Sequence, residues 1–328
     1  MKILILDSAQ IRHLLRMEDC IELMAGALSA LARGEVFQPL RTITRPPEAH
    51  GLLGLMPAYR AGEDGAFGLK AICVFPGNPA MGKDAHQGAV MLFSRETGEL
   101  QALMNASEIT AIRTAAVSAV ATRLLARDAA EDLAIIGAGV QARTHLEALA
   151  CVCSIKRARV ACRNIEHAQQ LADEMQEQVS FPIEPVRTNE EAVRGADLIV
   201  TATSSLEPVI NRDWISPGAH VNAIGTHSPN SREVDGATMG VARIFVDRRE
   251  SALNEAGDYL LAANEGFVTP DSIVAEIGEL LIGAKSGRSS ESEITLFKSL
   301  GLAIEDVACA DYLSKKATSE DFGTYVNF

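Results

Sequence analysis

The apolar run Leu133-Ala134-Ile135-Ile136 leads straight into Gly137-Ala138-Gly139-Val140-Gln141-Ala142, and helical spacing follows. Alone, a glycine pattern of this kind is a weak signal. Between a strand and a helix it has a specific physical reading. The first glycine permits a tight turn, the second lets a pyrophosphate approach the backbone, and the small Ala142 lets helix and strand pack closely. The helix N-terminus adds free N–H groups and a partial positive charge. Gly137, Ala138, Gly139, Val140 and Gln141 are therefore candidate cofactor-binding residues, and a doubly wound sheet is the expected setting.

The flanking pattern agrees. Strands are expected at residues 158–162, near 183, and at 197–202, 220–224 and 243–246, with helices at 140–150 and 165–177. Strands alternating with helices mean a parallel, doubly wound sheet. The first hundred residues follow another grammar. A helix at 17–33 closes at Gly34. Strand-like runs at 51–56, 67–75 and 89–93 are broken by Pro46-Pro47, Gly77-Asn78-Pro79 and Glu96-Thr97-Gly98. A long helix at 107–126, capped by Ser107, ends this part, and residues 296–314 read as helical again. A chain of 328 residues favours two domains. The fold class is α/β: a Rossmann doubly wound parallel sheet domain plus a mixed α+β domain, with the main boundary near residue 124.

With 30 Lys+Arg against 43 Asp+Glu, the net charge is −13, and no dense basic run is present, which argues against nucleic acid as a partner. The six cysteines form no Cys-x-x-Cys pair, and the seven histidines are scattered, so neither a disulfide framework nor a metal site is expected. No apolar run is long enough for a membrane helix, and the one ending at Asp7 is too short for a signal peptide. A cytoplasmic location is the expectation.

A dinucleotide fold for NAD should carry an acidic residue at the end of its second strand. Here the sequence is Val160-Ala161-Cys162-Arg163-Asn164. Arg163, with Asn164 and His167 beside it, suits a 2′-phosphate, so NADP(H) is preferred and NAD(H) possible. A solvated loop arginine is the alternative.

Three cations stand in elements otherwise poor in charge: Arg41, Lys70 and Arg113. Lys70 interrupts the apolar strand 68–75, and Arg113 the apolar helix 110–117. A cation in such surroundings calls for an anionic ligand or a buried partner. Arginine suits a carboxylate through two parallel hydrogen bonds.

Taken together, residues 39–42, 54–59, Lys70, His86-Gln87, 109–116, 137–142, 217–225 and 297–301 resemble the ornithine cyclodeaminase/mu-crystallin family, closest to its ketimine reductase side. The resemblance implies a substrate-binding and dimerisation domain from residues 1–123 and 300–328, a Rossmann domain at 124–299, and a homodimer. It implies that Arg41, Lys70 and Arg113 hold the carboxylate of an imino or amino acid. Thr114 and the glycine turn would contact the cofactor diphosphate, while Thr201, Ala202, Thr203 and Gly225 would lie towards the nicotinamide. Two departures bear on the reaction. Where cyclodeaminases of the family have an Asp, this chain has His227; where they tend to have a Glu, it has Gly54. The expected activity is therefore NAD(P)H-dependent reduction of a cyclic 2-imino acid, pyrroline- or piperideine-2-carboxylate, with Lys70 or His227 managing the imine proton. Rivals are an alanine dehydrogenase-like reaction, ornithine cyclodeamination, and a non-catalytic protein binding NADPH or a small ligand.

Overall fold

The computed structural model describes residues 2–62 and 65–328. The chain forms two compact units, Met1–Arg113 with Gly301–Phe328, and Thr114–Leu300.

In the first unit, strands Leu52–Arg60, Ala66–Val74, His86–Phe93 and Leu100–Asn105 run antiparallel in succession. Strand Lys2–Leu6 joins them in parallel, and the C-terminal strand Thr324–Asn327 closes that edge. Period-two alternation decides what each face does. Met56, Lys70, Val90 and Met104 lie in one row of the inner face, all buried, and Lys70 is its single charge. Helix Ala303–Ser319 packs on this face and helix Met17–Ala32 packs on that helix. The opposite face is apolar as well: Pro57, Leu69, Met91 and Leu103 share one row, and Tyr59, Phe67 and Phe93 occupy flanking positions. Phe67 on that face remains 46% exposed.

In the second unit, eight strands are all parallel, in the spatial order 183–185, 157–161, 132–136, 198–201, 220–223, 295–298, 243–246, 273–276. Leu133 and Ile135 join one buried cluster and Ala134 and Ile136 another. That two-sided burial is why the strand reads as a continuous apolar run. Chain order reverses between strands Asp132–Ile136 and Leu198–Thr201, which makes their carboxyl ends the switch point where such sheets bind ligands.

Two expectations are corrected. Residues 296–314 are not one helix. Thr295–Lys298 is a fully buried strand inside the parallel sheet, Gly301 turns at φ 77°, and the helix starts at Ala303. Four residues are too few for periodicity to tell a buried strand from a helix segment. Ser107 does not cap the long helix Ala106–Leu125. The Asn105 side chain accepts the Glu108 N–H at 3.0 Å, and the Ser107 hydroxyl donates to the His86 carbonyl. The two compact units divide between Arg113 and Thr114, inside that helix. The halves have different partners: Arg113 pairs with Glu305, whereas the Thr122 hydroxyl accepts from Asn222 and Ser118 bonds His145.

Candidate functional site

Lys70 and Arg113 meet, although 43 residues apart, because strand Ala66–Val74 and helix Ala106–Leu125 both face helix Ala303–Ser319. Lys70 Nζ donates to both oxygens of Asp306, at 3.1 and 3.2 Å. Arg113 donates from Nε to Asp306 Oδ1 at 3.3 Å and from Nη1 to Glu305 Oε2 at 2.7 Å. All four side chains are buried. Arg41, half-buried, donates to the Gly301 carbonyl at 3.0 Å. A Cβ at Gly301 would stand 2.4 Å from Arg113 Nη1, so only glycine lets the guanidinium lie against this turn. The three predicted cations therefore gather about one short segment, residues 301–306.

Glu305 and Asp306 were not anticipated. The signal was present: two adjacent acids inside the apolar stretch 302–310. Buried charges are tolerated only when paired, so a buried lysine and arginine called for such a pair. With three cations and two carboxylates, the cluster carries one net positive charge. Burial lowers the Lys70 ammonium to about 8, against the opposing pull of Asp306. Arg113 sits above its ordinary value, because Asp306 and Glu305 more than offset its desolvation. His86 is held below the usual imidazole range by desolvation and by the charges of Lys70 and Arg113. The cluster thus projects a positive field suited to one carboxylate. Gly54 lies on the same sheet face and offers no side chain to it.

In the second unit the glycine turn has its predicted context. Gly137 follows strand Asp132–Ile136 at φ 121°, and a Cβ there would lie 2.4 Å from the Ala202 carbonyl oxygen. Gly139 caps helix Val140–Ala150, and open space surrounds its absent Cβ. No neighbour in the protein crowds that position, so the backbone there is open to a ligand. The Gln141 side-chain oxygen is buried without a hydrogen-bond partner. An open glycine, a helix N-terminus and an orphaned polar atom fit a dinucleotide pyrophosphate.

Arg163 and His167 are exposed just beyond strand Arg157–Ala161. Asn164 has a structural duty: its side chain accepts the Glu166 N–H at 3.0 Å and caps helix Ile165–Met175. Ala202 and Thr203 follow strand Leu198–Thr201 at the switch point, and Gly225 follows strand His220–Ala223. Thr201 is fully buried, and its hydroxyl donates to Glu233 at 2.9 Å. Thr114 is buried on the shared helix. His227 is exposed in the loop after Thr226. Among the described residues no group of His, Cys, Asp and Glu is placed to hold a metal ion, and no helix is long and apolar enough to cross a membrane.

The sequence model of the ornithine cyclodeaminase/mu-crystallin family matches residues 1–321. The mouse ketimine reductase mu-crystallin is 42% identical over 277 residues, 84% of each chain. Among solved structures, the Thermococcus litoralis Δ1-pyrroline-2-carboxylate reductase in complex with NADH and L-proline superposes with a TM-score of 0.96 at 37% identity, covering 99% of this chain and all of that one. An archaeal alanine dehydrogenase dimer with bound NAD gives 0.92 at 33% identity over the whole of both chains. With its cation cluster, its glycine turn and these likenesses along nearly its full length, the chain belongs to the ornithine cyclodeaminase/mu-crystallin family.

Proposed function

We infer that the protein is an NAD(P)H-dependent reductase of cyclic 2-imino acids, converting pyrroline-2-carboxylate or piperideine-2-carboxylate to proline or pipecolate. The observation that carries this is the buried Lys70–Asp306–Arg113–Glu305 cluster, neutral in itself, to which half-buried Arg41 adds one net positive charge. It accompanies a dinucleotide turn and likeness to a reductase solved with NADH and L-proline.

The nicotinamide cofactor, when bound, supplies a hydride for the imine carbon. The chain's own residues orient and neutralise. Arg113 and Lys70 hold the substrate carboxylate, with Arg41 at the rim of the cluster. Asp306 and Glu305 fix the directions of the two buried cations, so little reorganisation is needed when the carboxylate enters. Lys70, with an ammonium near 8, can release or retain a proton close to neutral pH and is the candidate for the imine nitrogen, with His227 second. Gly137, Ala138, Gly139, Val140 and Gln141 cradle the diphosphate, with Thr114 beside them. Thr203 and Gly225 bound the nicotinamide half. Arg163 gives NADPH the advantage over NADH. The apolar outer sheet face around Leu69, Met91 and Phe67 is the surface through which two copies would pair.

A panel of cyclic imines, 2-oxo acids with ammonia, and amino acids, each assayed with NADH and NADPH, tests the assignment. The similarity to alanine dehydrogenase supports a second reading, ammonia-dependent reduction of pyruvate, which the same panel separates.

A further inference from the structure

Glu233 has no role in the clamp or in the glycine turn, yet it is completely buried at the carboxyl edge of the parallel sheet. Its Oε1 accepts the Thr203 N–H at 2.6 Å. Its Oε2 accepts the Gly225 N–H at 2.6 Å and the Thr201 hydroxyl at 2.9 Å. One carboxylate thus ties together the segments that leave two adjacent strands, Leu198–Thr201 and His220–Ala223. The fit is close, since a Cβ at Gly225 would lie 2.1 Å from the Thr203 carbonyl oxygen. The first of these segments also abuts the glycine turn, through Gly137 against the Ala202 carbonyl.

Glu233 is itself held from behind. Asp258 Oδ1 accepts the N–H groups of Glu233 and Val234 at 2.7 and 2.9 Å. Asp258 Oδ2 accepts from the Thr226 hydroxyl and from Lys298 Nζ, both at 2.9 Å. Lys298 also donates to the Thr226 carbonyl at 2.9 Å. Asp258 and Lys298 are as buried as Glu233. The carboxyl edges of three neighbouring strands, 198–201, 220–223 and 295–298, are therefore locked by Glu233, Asp258 and Lys298. A core of this sheet would hold together by apolar packing alone. A satisfied polar network here does something packing does not: it fixes backbone position at the switch point, where a dinucleotide lies across the strand ends.

We propose that Glu233 is the positioning residue for the nicotinamide ring, holding the 201–203 and 225 segments as one rigid floor while touching neither cofactor nor substrate. This rests on the dinucleotide reading of the glycine turn. Glu233→Gln keeps the shape but turns one acceptor into a donor, facing either the Thr203 or the Gly225 N–H. One segment is then released, while the Gly137–Gln141 turn is untouched.

The test compares wild type, Glu233→Gln and Thr201→Val, the last removing one donor with little change of shape. Three quantities are read: kcat for cyclic-imine reduction, the primary isotope effect with cofactor deuterated at nicotinamide C4, and competitive inhibition by ADP-ribose and its 2′-phosphate, which lack the ring. The expected result for Glu233→Gln is a kcat lower by about 10–100-fold, as for a small misplacement of reacting atoms. Its isotope effect should rise and its inhibition by ADP-ribose should be unchanged. Thr201→Val should shift in the same direction by less, and it carries the test if Glu233→Gln does not fold. Unaltered kcat and isotope effect, or ADP-ribose inhibition weakening in step with kcat, would overturn the proposal. A wild-type chain inhibited by neither probe would instead defeat the dinucleotide reading itself.

Discussion

Lys70 Nζ lies 3.1 and 3.2 Å from the two oxygens of Asp306, and neither residue has more than 3% of its surface exposed. This pair sets the charge state of the clamp. Burial disfavours the ammonium and Asp306 favours it, leaving Lys70 at about 8. The clamp attracts a carboxylate only with Lys70 protonated, so kcat/KM should be full below about 8 and fall as pH rises through it. Asp306→Asn removes the group that raises this value, and the falling limb should then move to lower pH. Rates measured from pH 6 to 10 check it; a limb in the same place in both proteins would separate Lys70 from the titration.

Arg113→Ala should lower kcat/KM for cyclic imines by about 100-fold or more, the loss expected when a buried charge pair is broken. NADPH binding should stay close to wild type. The same change strands Glu305, so thermal stability should drop as well, and Arg113→Lys serves as the control that keeps the charge. Fluorescence titration with NADPH alongside steady-state rates tests the claim. Near wild-type turnover in Arg113→Ala would make the residue purely structural.

Gly301→Ala should damage the clamp without touching a charged residue. The position has φ 77°, and the new methyl would meet the Arg113 guanidinium. The backbone strain alone is worth about 1–2 kcal/mol. The displaced guanidinium should appear as a raised KM for the imino acid with an unchanged KM for the cofactor. A variant with wild-type KM values would mean that the guanidinium shifts at no consequence to binding.

Arg163→Ala should erase most of a preference for NADPH. A hydrogen bond to a charged group is worth about 1.5–3 kcal/mol, roughly ten- to a hundredfold in the ratio of kcat/KM values. Equal use of both cofactors by wild type, unchanged in the variant, would remove Arg163 from cofactor selection.

Local signals made the Rossmann half readable. Its apolar strands and its glycine turn each state their structure within a few residues. The strand Thr295–Lys298 was not readable, because its place in the sheet is decided by partners far away in sequence: it pairs with His220–Ala223 on one side and Arg243–Val246 on the other. The cations of the site were legible as charges out of place, at Lys70 and Arg113. Glu305 and Asp306 are likewise out of place in an apolar stretch, but which cations they meet is decided only when Ala303–Ser319 is laid on the sheet. Glu233 was hidden for the same reason: its carboxylate meets Thr203 and Gly225 only through tertiary folding. Asn164 was legible as a polar residue after a strand, but capping a helix is its visible work.

Reduction of a preformed cyclic imine is checked by one comparison of substrates. Oxidation of NADPH and NADH is followed with pyrroline-2-carboxylate and piperideine-2-carboxylate and with pyruvate plus ammonia; with ornithine and the oxidised cofactors, released ammonia and proline are measured instead, because cyclodeamination returns the cofactor to its oxidised form. The family resemblance implies that His227 and Gly54 stand where cyclodeaminases have an Asp and tend to have a Glu, and neither provides a fixed negative charge at neutral pH. Rapid reduction of at least one cyclic imine is expected, with little reaction of pyruvate and ammonia and no proline from ornithine. Failure to reduce either cyclic imine, or ammonia release from ornithine at a comparable rate, would contradict it.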